Sequence, residues 1–124
     1  MDTSPTAHAA ASEGARHLCD SLFAEIKRRL PPLERSMAKQ WCGYYVPGRR
    51  RFAFVSHRRS GCGLEVWCAG DVDALLGAKG LIVTPRAQIR TGWERQFPAR
   101  FRIDDESRLT AAVDLLVRVS YQAS

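Results

Sequence analysis

Residues 41–69 carry three short runs of aromatic and β-branched side chains, each stopped by Gly, Pro or Ser. No other stretch limits the fold so strongly. Trp41-Cys42-Gly43-Tyr44-Tyr45-Val46 is broken by Pro47-Gly48. Arg51-Phe52-Ala53-Phe54-Val55-Ser56-His57 is broken by Arg58-Arg59-Ser60-Gly61-Cys62-Gly63, and Leu64-Glu65-Val66-Trp67-Cys68-Ala69 follows. Such runs between turn residues predict strands, and tight turns predict antiparallel pairing. Strand alternation puts Phe52, Phe54 and Ser56 on one face and Ala53, Val55 and His57 on the other. Likewise Leu64, Val66 and Cys68 oppose Glu65 and Trp67, and Trp41, Gly43 and Tyr45 oppose Cys42, Tyr44 and Val46. One sheet face should therefore carry Trp67 and one set of the first strand's aromatics.

Helices flank this meander. Ser12 is a suitable N-cap, and Ala15, Leu18, Leu22, Ile26 and Leu30 recur at helical spacing until Pro31-Pro32 ends the pattern. Residues 33–39 read as a turn or connector. A short helix follows Asp71 and stops at Gly77 and Gly80, and Leu81-Ile82-Val83-Thr84 reads as a brief strand closed by Pro85. Residues 86–98 read as a long loop with Trp93 as its anchor. Phe97, Ala99, Phe101 and Ile103 alternate with Arg100 and Arg102, as a half-exposed strand does. Asp104-Asp105-Glu106 suits the start of a last helix, whose core stripe is Leu109, Val113, Leu116, Ser120 and Tyr121. The expected fold is a two-layer α+β domain: an antiparallel sheet of four to five strands with the N- and C-terminal helices on one face. A flexible leader over residues 1–12 precedes a single domain over residues 13–124.

The chain of 124 residues carries a formal charge of +6, which favours anionic partners. Among its 19 basic residues only Lys27, Lys39 and Lys79 are lysines. Arginine in excess fits phosphate recognition, and it also fits a base composition bias in the coding sequence. Arg49, Arg50, Arg51, Arg58 and Arg59 crowd the two turns around the second strand with no acid among them. Arg86, Arg90, Arg95, Arg100 and Arg102 face Glu94 alone in the second basic segment. Two readings of these arginines stand open: phosphate contacts beside a stacking Trp93, or charges that protect hairpin edges from association. The aromatic residues Trp41, Tyr45, Trp67 and Trp93 offer another site, a ligand pocket over the sheet, against the plainer reading of core packing.

Catalytic and metal patterns are weak. Cys42, His57, Cys62 and Cys68 are the nearest approach to a metal cluster, without the paired C-x₂₋₄-C spacing of zinc sites. No acid orients a Cys/His pair, the carboxylates at 104–106 belong to a helix start, and no Gly-rich loop cradles phosphate. No catalytic residue, metal or cofactor is assigned. Residues 1–11 lack a basic, apolar signal pattern and no run is long enough to span a membrane, so a cytoplasmic protein with reduced thiols is expected.

Arg51-Phe52-Ala53-Phe54-Val55, Leu64-Glu65-Val66-Trp67, Gly92-Trp93 and Leu115-Leu116 with Ser120-Tyr121 resemble a bacterial domain family of unknown function. That family occurs alone or at the C-terminus of predicted transport proteins and restriction-type nucleases. The resemblance covers about two thirds of the chain. It departs at Gly92-Trp93, where the family's intervening His is absent. It implies an accessory domain beside DNA-acting or defence proteins and brings no catalytic residue. The expectation is a non-enzymatic nucleic-acid-binding domain using Arg49, Arg50, Arg58, Arg59, Arg90, Arg95, Arg100, Arg102 and Trp93, acting as a homodimer or within a larger host protein. A small-molecule or protein-interaction module built on the aromatic pocket is the alternative.

Overall fold

In the computed structural model, which describes residues 12–38, 41–57 and 63–122, the three runs of the 41–69 segment lie side by side as antiparallel strands. They are β2 (Cys42–Tyr45), β3 (Ala53–His57) and β4 (Leu64–Cys68). With β1 (Glu34–Met37), β5 (Thr84–Pro85) and β6 (Ala99–Ile103) they form a six-stranded sheet in the order β1-β2-β3-β4-β6-β5. Every pair is antiparallel. Among the described residues four helices complete the fold: α1 (Glu13–Arg29), α2 (Val72–Leu76), α3 (Gly92–Gln96) and α4 (Leu109–Gln122).

The caps work as their residue types require. The Ser12 hydroxyl accepts from Ala15 N at 3.1 Å, and the Asp71 carboxylate accepts from Ala74 N at 3.2 Å. Asp105 accepts from Ser107 N at 2.8 Å and starts a 3₁₀ turn over Glu106–Arg108 that runs into α4. Ala15, Leu18, Cys19, Leu22 and Ile26 form the buried stripe of α1. On α4 the buried set is Ala112, Val113, Leu115, Leu116, Val117, Val119 and Ser120. Both helices close over one sheet face, contributed by Cys42, Tyr44, Ala53, Val55, Leu64, Val66, Cys68, Ala99, Phe101 and Ile103, to make a single core. Gly80 lets the chain pass tightly beneath α4: its φ is 80°, and a Cβ there would lie 2.9 Å from Ala111 Cβ.

Five expectations are corrected. Residues 34–37 are a strand, not a connector. The segment is too short and polar to announce itself, and it pairs because β2 offers an open edge, with Glu34 opposite Tyr45 and Met37 opposite Cys42. The 86–98 segment is not wholly loop: Thr91 accepts from Glu94 N at 3.1 Å and caps the single turn of α3. Tyr121 is 66% exposed, because the helical period gives the buried position to its neighbour Ser120. Phe97 leaves the core face expected for it, since strand alternation begins only at Ala99. The brief strand at the 81–84 segment reduces to Thr84–Pro85, an edge position that tolerates proline. The leader up to residue 11, with Arg58, Arg59 and Cys62, lies outside the described residues. Among the described residues no helix is long and apolar enough to cross a membrane.

Candidate nucleic-acid interface

The sheet face turned away from α1 and α4 is set by register. Gly43, Phe54, Trp67, Arg100 and Thr84 form one row across β2, β3, β4, β6 and β5. Ser56, Glu65 and Arg102 form the adjacent row. Phe54 is the centre of an aromatic cluster. Trp41 meets it edge-on at 4.5 Å between centroids, Phe97 at 4.6 Å and Trp93 at 5.5 Å. Trp93, carried by α3, also lies 6.3 Å from Trp67 and 5.5 Å from Phe97. Phe54 is 5% exposed and Trp93 is 42% exposed, so the cluster has a packed floor and an open upper surface.

Guanidinium groups interleave with these rings. Arg86 stands 3.8 Å from the Trp67 centroid and 4.6 Å from that of Trp93, held between two indoles. Its Nε donates to the Phe97 carbonyl at 2.7 Å, and Glu94 pairs with it at 3.7 Å. Burial lowers the Arg86 pKa from its ordinary value, with Arg100 repelling it and Glu94 opposing the shift. Its Nη2 is buried without a hydrogen-bond partner among the described residues. Arg100 lies 5.3 Å from the Trp67 centroid. Arg51 crosses above Gly43, where a Cβ would come within 2.9 Å of its side chain, and stands over Trp41 and Tyr45 at 5.9 and 5.7 Å. Glu65 pairs with both Arg100 at 3.2 Å and Arg102 at 3.7 Å. Ion pairs this open to water contribute about 0–1 kcal/mol each, so a phosphate can compete for either arginine. At the sheet's end a recess of about 260 Å³ is lined by Thr84, Arg100, Arg102 and Arg108, with Asp104 its one acid.

Trp41, Tyr45, Trp67 and Trp93 therefore share one face with Arg100 and Arg102. Trp41 and Trp93 close on Phe54, and Trp67 meets Trp93. Arg49 and Arg50 are exposed on the β2–β3 turn. Arg90 bonds to Gln88 and, through its backbone N, to Glu94 at 3.1 Å, and Arg95 is exposed on α3. Sequence reasoning left Arg51, Arg86, Phe54 and Phe97 out of the site. Arg51 reaches it only across a neighbouring strand, Arg86 lies outside any periodic run, and alternation carried back past Ala99 assigns Phe97 to the core face instead.

A second constellation sits on the opposite, helix-covered face. Cys42 and His57 come together as part of a cluster, but its third member is Cys19 of α1. Cys68 lies apart, opposite Ala53 and Ala99, and reaches the Ala99 carbonyl at 3.9 Å. The Cys42 thiol, hydrogen bonded to the Cys19 sulfur, lowers the Cys19 pKa against the effect of burial, and His57 and Tyr44 act in the same sense. That contact, together with burial, raises Cys42. Burial alone pushes the Cys68 thiol up to about 12 from an ordinary 9.0. The proton is thus held more tightly in the folded state, so this stability is complete below pH 9 and is lost as pH rises towards 12. Urea titrations of wild type and Cys68→Ala across that range should differ in slope by up to about 1.4 kcal/mol per pH unit, the variant being the flatter. Equal slopes would place the alkaline loss elsewhere.

No protein-family model, no curated protein and no solved structure matches this chain. Fold and surface define its class: a two-layer α+β domain whose open sheet face is faced with aromatic and arginine side chains.

Proposed function

We propose that the open sheet face binds single-stranded nucleic acid without catalysis, as an accessory domain of the kind its family resemblance implies. Bases stack on the exposed side of Trp93 and on Trp67 and Trp41, and phosphates meet Arg100, Arg102, Arg51, Arg49 and Arg50. The observation that carries this reading is the row Phe54-Trp67-Arg100 with Trp93 standing over it. Sequence-tolerant binding of single strands combines these two elements, aromatic platforms for bases and guanidinium groups along a backbone track. The recess at the β5–β6 edge is large enough for a phosphate group and continues the track beyond the rings.

Fluorescence anisotropy with labelled single- and double-stranded DNA and RNA at about 50 mM salt tests the proposal. Single strands should bind saturably and quench tryptophan fluorescence. Arg100→Ala combined with Arg102→Ala should weaken binding about tenfold or more, at roughly 1 kcal/mol per phosphate contact. Glu65→Gln should strengthen it severalfold by releasing both arginines, a gain that a damaged fold does not produce. Absence of binding at this salt sinks the reading. A thermal shift with small aromatic anions in that case would favour the alternative ligand module of Trp41, Tyr45, Trp67 and Trp93.

A further inference from the structure

Three elements far apart in sequence bring soft metal-binding groups to one point beneath α1. Cys19 lies on the buried stripe of α1. Cys42 opens β2 opposite Val55, and His57 closes β3 two residues further along the same face. The two sulfurs and an imidazole nitrogen all lie within 4.8 Å of one another. Cys19 and Cys42 are fully buried, and both His57 ring nitrogens are buried. We propose that Cys19, Cys42 and His57 are the three protein ligands of a single Zn²⁺ ion.

The ligand set fits the ion. Thiolate and imidazole are the usual donors to zinc, at about 2.3 Å for sulfur and 2.0–2.1 Å for nitrogen. A tetrahedral centre with those bonds has sulfur–sulfur and sulfur–nitrogen edges of about 3.6–3.8 Å. Closing the triangle from 4.8 Å or less needs side-chain shifts of about 1 Å, without backbone rearrangement. Two thiolates neutralise the dication, their protons leaving to solvent, so the core acquires no net charge. The surroundings complete a second layer. Arg35 Nη1 lies 3.9 Å from Cys19 Sγ, with the Arg35 charge balanced by Asp20 at 2.9 Å. The Tyr44 hydroxyl lies 3.8 Å from the same sulfur, whereas the Cys42 thiol donates to Met37 Sδ at 3.3 Å, a contact given up when that thiol loses its proton. Hydrogen-bond donors to metal-bound thiolates orient them and tune the site. A bound ion would clamp α1 to β2 and β3.

The test uses the full chain, reduced and stripped with a chelator, then titrated anaerobically with Co²⁺ as a spectroscopic stand-in. Saturable 1:1 growth of thiolate-to-cobalt charge-transfer and visible bands, displaced by Zn²⁺, is expected. Cys19→Ser, Cys42→Ser and His57→Gln should each abolish the tetrahedral spectrum while circular dichroism stays unchanged. Arg35→Gln should keep the bands and weaken affinity about 10–100-fold. Cys68→Ser should leave both unchanged. Zinc-edge X-ray absorption on wild type needs no variant, and a shell of two sulfurs with light-atom ligands is expected. Absence of bands from the folded, reduced wild type overturns the site, as does a shell without two sulfurs. Bands that survive all three ligand substitutions also overturn it. So does a reduced protein that binds no metal and on air exposure simply forms a Cys19–Cys42 disulfide.

Discussion

Phe54→Ala is expected to lower the stability of this domain by about 3–5 kcal/mol, the range for truncating a fully packed phenylalanine. Phe54 does not belong to the core between sheet and helices; it is the floor of the cluster on the other face. It is nonetheless 5% exposed, because Trp41, Phe97 and Trp93 close around it at 4.5, 4.6 and 5.5 Å. Its removal takes away its own buried area, its edge-on pairings of about 0.5–1.5 kcal/mol each, and the support on which three other rings rest. The space cannot fill easily, since the β3 backbone beneath is pinned by β2 and β4. Trp93→Ala is the informative comparison. A ring 42% exposed loses far less on truncation, about 1–2 kcal/mol, although tryptophan is the larger side chain. Urea midpoints for the two variants, measured with the wild-type slope, check both values. A Phe54→Ala loss under about 1.5 kcal/mol would mean that the open face is not a packed second layer.

Nucleic-acid affinity is expected to fall about 100-fold between about 50 and 200 mM salt. Arg51, Arg100 and Arg102 lie on the open face, and Arg49 and Arg50 are exposed on the β2–β3 turn; all five are proposed phosphate contacts. Arg86 is excluded because its charge is enclosed by two indoles and paired with Glu94. Five neutralised phosphates on a single strand give a slope of about −3.5 in log affinity against log salt. Arg49→Ala with Arg50→Ala should flatten that slope by about 1.4, and Trp93→Ala should lower affinity without changing it. The two classes of variant separate backbone contacts from stacking. A slope near zero for the wild type would remove phosphate contact from the account.

The domain's architecture was legible where local physics decides it. The stripe of α1, the Ser12 and Asp71 caps and the alternation of Phe54 against Val55 or Trp67 against Val66 follow from helix and strand periods. Those periods act within a few residues, whatever the rest of the chain does. The antiparallel meander follows as well, because its turns are too short for any other pairing. The gathering of Trp41, Trp67 and Trp93 with Arg100 on one face came partly from these periods, through the parity of each strand.

What only tertiary structure decided depends on register and on contacts between distant segments. β1 exists because β2 has an edge to pair with, and its own four residues carry no strand pattern. Arg86 enters the site because the chain before β6 folds its side chain between two indoles contributed by β4 and α3. Cys19 joins Cys42 and His57 although 23 and 15 residues separate these neighbours in sequence. No spacing rule reports a cluster assembled from a helix and two strands, because the packing of α1 on the sheet sets those distances. Periodicity along the chain tells which face a side chain takes, whereas its neighbours on that face depend on how the elements dock.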